Sequence, residues 1–156
     1  LMFSKFNQLV SGNVDRARML TTLTMDTLYG ESITYKVFAV MVLDADATGK
    51  DSFDYIRTRF ATDTAFTTFI ERIKARSLYD FGDVDVLSSD QVLTLSTCSN
   101  KRGTTLKNGR TVIVARRLRD GEEATVDVSK TVLNEDVLMP GMWYVNKGLP
   151  LPKEYQ

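Results

Sequence analysis

Residues 90–118 read DQVLTLSTCSNKRGTTLKNGRTVIVARRL, two β-forming runs on either side of a polar, glycine-bearing segment. The first, Val92–Cys98, alternates apolar and hydroxyl side chains, and the second, residues 111–115, is short and β-branched. Runs of this kind, joined by a stretch that holds Gly103 and Gly109, predict antiparallel neighbours with a long loop. Antiparallel pairing sets the end of one strand beside the start of the next. The chain's single cysteine, Cys98, closes the first run and Arg110 opens the second, so the two are expected side by side.

That proximity bears on chemistry, because the thiolate and not the thiol is the nucleophile, and a neighbouring guanidinium favours the charged form. Cys98 shares its strand face with Ser96 and Thr94, opposite Leu93 and Leu95. A lone cysteine also fits a small buried hydrophobe. On the residues alone both readings stand. Arg116 has the same parity as Arg110, but it lies about 20 Å further along an extended strand. Arg110 is therefore the expected neighbour.

Around this pair the chain predicts more strands than helices. Residues 1–10 space their apolar positions near the helical period, and a further helical turn is expected over residues 14–20. Residues 21–28 alternate as a half-buried strand, and residues 33–43 read as a central one. Residues 44–51 are acidic like a calcium loop, yet Tyr55 stands where the bidentate glutamate is needed. A solvated loop with a helix-capping Asp51 or Ser52 is expected instead. Residues 53–60 and 64–76 are predicted helical; in the second, Phe66, Phe69, Ile70 and Ile73 form one apolar stripe that belongs to the core. Short strands are expected near Val84 and Val86 and at residues 125–128. Residues 134–156 read as an irregular tail pinned by Leu138, Met139, Trp143 and Tyr144.

With no regular β-α alternation, a doubly wound sheet is excluded, and 156 residues fit one domain with a real core. Lys plus Arg balance Asp plus Glu at 20 each, so no global field draws nucleic acid or membrane. Lys101, Arg102 and Lys107 cluster in the loop, but aromatic residues for base stacking are absent there. A solvated loop beside a site is the better reading. One cysteine rules out an internal disulfide.

The segment Thr94-Leu95-Ser96-Thr97-Cys98, followed by an arginine opening the next strand at Arg110, resembles the TLxTC signature of the sortases, cysteine transpeptidases of Gram-positive cell surfaces. The serine within it is typical of class B. The resemblance extends to residues 35–40, 77–80 and 138–144 and so covers most of the chain. It implies a mainly β fold, the family's closed eight-stranded barrel with helical insertions, in a single domain over residues 1–156. It implies Cys98 as nucleophile and Arg110 as its cationic partner. Ser96 and Thr97 would add hydrogen bonds to substrate, and Leu78 and Tyr79 either line the peptide groove or dock the helix before them. The implied reaction cleaves a sorting signal after threonine through a thioacyl-enzyme. The product passes to an amine of the cell wall or a pilin lysine. No cofactor or metal is implied.

Sortases also use a histidine, and this chain has none. In class B it precedes a Met-Phe pair like Met2-Phe3, so a longer parent is expected, with the histidine and a membrane anchor upstream of Leu1 and the enzyme on the extracellular face. The N-terminal strands would then be missing, leaving edges open to self-association, and these residues alone would be nearly inactive. Two other classes compete: a redox-active single-cysteine protein, disfavoured because no resolving cysteine exists, and a non-catalytic peptide-binding barrel, favoured by the missing histidine.

Overall fold

The computed structural model describes residues 4–99 and 106–156. The expectations that fall on Leu1, Met2-Phe3, Lys101, Arg102 and Gly103 lie outside the described residues. Six strands form two antiparallel sheets: β1 (Thr22–Asp26), β2 (Ser32–Asp44), β5 (Gly109–Arg117) and β4 (Val92–Cys98) side by side in that order, and β3 (Tyr79–Phe81) with β6 (Thr131–Leu133). The larger sheet curls as a half-barrel. The helices are α1 (Val14–Arg18), α2 (Asp63–Arg76) and α3 (Gly141–Asn146), with a 3-10 segment at Ser4–Ser11.

β2 and β5 form the centre of the core. Val37 through Leu43 and Thr111 through Arg116 are all buried, so both faces of these strands are covered and their β-branched runs need no alternation. Phe38 is an extra residue between Val37 and Ala39, a bulge that bends β2. Past the bulge, Ser77 and Leu78 take over the edge that β1 leaves: the Leu78 N–H donates to the Val40 carbonyl at 2.8 Å.

α2 packs on β2 through Phe69, Ile70 and Ile73, the expected stripe. Each such side chain contributes about 1.5–3 kcal/mol on burial. The helix starts where Thr62 accepts the Ala65 N–H at 3.1 Å. Residues 53–60 are not helical. A helix would space Phe53 and Phe60 about 10 Å apart along one axis. Instead the segment bends so that both rings sit on Phe69, with centroids 5.4 and 4.9 Å away. Aromatic packing overrides a weak local pattern.

Three further expectations are corrected. Val84 buries its side chain from a turn, its N–H on the Phe81 carbonyl, and the strand in this region is β3. The last strand is β6, after a 3-10 turn at Val128–Lys130 capped by Asp127. Asp51 caps no local helix; it accepts the Gly141 N–H at 2.9 Å and so ties the helical part of the tail to the body. That approach requires glycine, since a Cβ at 141 would lie 2.9 Å from the carboxylate.

Candidate active site

β4 and β5 pair with Cys98 directly opposite Arg110. The next pair outward, Ser99 and Gly109, is bridged by the Ser99 N–H on the Gly109 carbonyl at 2.9 Å. Hydrogen-bonded and non-hydrogen-bonded pairs alternate in an antiparallel ladder. Cys98 and Arg110 are therefore a non-hydrogen-bonded pair, the kind that brings side chains closest. Arg110 Nη1 donates to Cys98 Sγ at 3.2 Å and to the Gly109 carbonyl at 3.4 Å. The thiol is exposed.

A groove of about 650 Å³ runs along the same face of β4, past Ser96, Thr94 and Val92. Its opposite wall is the non-helical segment with Tyr55, Ile56 and Phe60, backed by Phe66. Ser96 Oγ donates to the Tyr55 hydroxyl across it at 3.4 Å. Ser96 stands two residues from Cys98, about 7 Å along the strand. Thr97 faces the other side, opposite Thr111. Leu78 and Tyr79 do not line this groove. Both are buried, and the Tyr79 hydroxyl donates to the Leu9 carbonyl at 2.5 Å and the Asn13 carbonyl at 3.3 Å, docking the N-terminal segment. Burial pushes that phenol up from its ordinary pKa.

Two features had no visible signal in the sequence. Tyr55 and Ile56 sat in a stretch whose spacing suggested helix. Asn7, from the Ser4–Ser11 segment, donates through Nδ2 to the Cys98 carbonyl at 3.1 Å, a partner 91 residues away.

At the far end of the same two strands Arg116, opposite Val92, is only 1% exposed. It grips Glu122 with both terminal nitrogens at 2.6 and 2.7 Å and donates through Nε to the Asp85 carbonyl at 2.6 Å. Lys36 joins Glu122 at 2.9 Å, and Arg119 holds both oxygens of Asp90 at 2.7 and 2.8 Å. The Arg116 hydrogen bonds hold the Glu122 carboxyl far below the usual carboxylate range. Burial alone would raise Asp90, but hydrogen bonds from Arg119 and the Leu87 N–H outweigh it and leave it low. Arg116 is thus committed to structure, which leaves Arg110 as the cation beside Cys98. Among the described residues no group of three or more Cys, Asp or Glu is placed to hold a metal ion, and no helix is long and apolar enough to cross a membrane.

A half-barrel whose cysteine strand lies beside an arginine strand, with a groove along it, is the architecture of sortases, and the chain is sortase-like in fold. It superposes on a mutant form of Clostridium perfringens sortase B with a TM-score of 0.62 at 22% identity, over 76% of this chain and 51% of that one. A Staphylococcus aureus sortase B–substrate complex gives a TM-score of 0.55 at 25% identity, over 71% and 47%. In sequence, Staphylococcus aureus sortase B is 35% identical over 86 residues, which are 54% of this chain and 33% of that protein. Within the sortases the chain is class B-like. It spans about a third of that curated relative and about half of the solved chains. No family model matches it.

Proposed function

We propose that this chain carries the nucleophile half of a class B-type sortase site, cleaving a sorting peptide after threonine and handing the acyl group to an amine. The observation that carries the reading is the 3.2 Å contact between Arg110 Nη1 and Cys98 Sγ at the end of a peptide-sized groove. The peptide lies along β4 between Ser96 and Tyr55. The Cys98 thiolate attacks the threonine carbonyl, a thioester forms, and the carbon–nitrogen bond breaks. Arg110 donates to the oxygen on which negative charge develops, a contribution of about 3 kcal/mol for one such donor. An amine then attacks the thioester and releases the thiolate. The two half-reactions match the partners seen in relatives, since one sortase B was solved with a substrate and another with triglycine.

The departing amine needs a proton, and these residues include no histidine to supply it. In this reading the donor comes from outside the 156 residues, in a single catalytic domain of which they form part. The protein then works at the outer face of a Gram-positive membrane on surface proteins or pilins. The test avoids the missing acid. An Asn-Pro-x-Thr peptide ending in a p-nitrophenyl ester has a leaving group that departs without protonation. It is expected to give a burst of p-nitrophenolate and a Cys98 thioester by mass spectrometry, both lost in Cys98→Ala. Acylation at the same rate by a scrambled peptide ester would end the assignment.

A further inference from the structure

We infer that Asn7 is a positioning residue, whose side-chain amide fixes the last peptide plane of the cysteine strand and so holds Cys98 Sγ against Arg110; this rests on the reading of Cys98 as nucleophile. Cys98 and Arg110 form a non-hydrogen-bonded pair, so the Cys98 carbonyl points away from β5 and the ladder does not hold it. In a trans peptide the carbonyl and the following N–H point in opposite directions. The plane between Cys98 and Ser99 is therefore gripped on both sides, by Gly109 accepting the Ser99 N–H at 2.9 Å and by Asn7 Nδ2 donating to the Cys98 carbonyl at 3.1 Å.

The other end of the amide is also committed. Asn7 Oδ1 accepts from Thr111 Oγ1 at 2.7 Å, and Thr111, 1% exposed, directly follows Arg110 on β5. One side chain thus bridges the end of the cysteine strand and the start of the arginine strand. Asn7 is itself held in place, because Leu9 is buried and its carbonyl takes the Tyr79 hydroxyl. If the Cys98–Ser99 plane rocks, the Cα–Cβ bond swings and the sulfur leaves the guanidinium. Misplacement by about 1 Å at a reacting atom is enough to lower a rate by up to about 100-fold.

The test is a double-mutant cycle on thiol alkylation by iodoacetamide, with each variant's fold checked by circular dichroism and thermal melting. Asn7→Ala is expected to slow alkylation about fivefold with Arg110 present and under about twofold in an Arg110→Ala background, since the two act as one unit. Thr111→Val removes the amide's other hydrogen bond but leaves its hold on Cys98. It should lower the melting temperature and keep alkylation within about twofold of the parent. Equal slowing by Asn7→Ala in both backgrounds, or by Thr111→Val as much as by Asn7→Ala, overturns the inference. Because alkylation needs no peptide, these outcomes are independent of whether the peptide ester acylates Cys98.

Discussion

Arg116 and Glu122 meet through paired hydrogen bonds of 2.6 and 2.7 Å, with the guanidinium almost wholly out of water. Lys36 on β2 shares the same carboxylate, so one glutamate in a turn ties two central strands together. Removing one partner of such a pair leaves a buried charge uncompensated, which costs about 3 kcal/mol. Glu122→Ala is expected to lower the urea midpoint by that amount at unchanged m. A loss below about 0.5 kcal/mol would show that the network does not close the fold.

The same carboxylates set the acid limit. Glu122 and Asp90 both titrate lower in the folded chain than they would unfolded. A depressed carboxylate lends stability that is complete above its unfolded pKa, about 4, and is lost as the pH falls from there toward the folded value. The melting temperature should hold between pH 7 and about 5, then drop below about pH 4. Asp90→Asn should flatten that acid limb. An unchanged limb in Asp90→Asn would place the acid sensitivity elsewhere.

Thr62 caps the helix that supports the groove wall. Thr62→Ala removes the acceptor for the Ala65 N–H and is expected to cost about 1 kcal/mol, whereas Thr62→Ser should keep most of it. Chemical denaturation of the two variants side by side distinguishes loss of the cap from loss of a methyl group.

Arg110 should govern the reactivity of the thiol. Arg110→Ala is expected to slow iodoacetamide alkylation of Cys98 about tenfold at neutral pH. Arg110→Lys should fall between, because an ammonium keeps the charge but not the guanidinium geometry that reaches sulfur at 3.2 Å. Parent-like rates in Arg110→Ala would show that the contact does not activate the thiol.

How much of this was legible beforehand depends on the range of each interaction. The Cys98–Arg110 pairing could be read because both sit at strand ends joined by one loop, so alternation and antiparallel register suffice to bring them together. The stripe on α2 followed from its period in the same way. The wall at Tyr55 could not, because aromatic packing on Phe69 overrode the local spacing. Leu78 and Tyr79 faced inward because β2 needed a new neighbour past its bulge, a demand that arises only once the sheet exists.

Asn7 and Glu122 belong to the same class. An amide in an amphipathic segment and a glutamate in a turn look like ordinary surface residues until the fold sets them beside a strand-end carbonyl and a buried guanidinium. Backbone periodicity is written in neighbouring residues, so it survives in the linear chain. Which polar atom satisfies which buried partner is decided by contacts across tens of residues, and those exist only in the packed molecule.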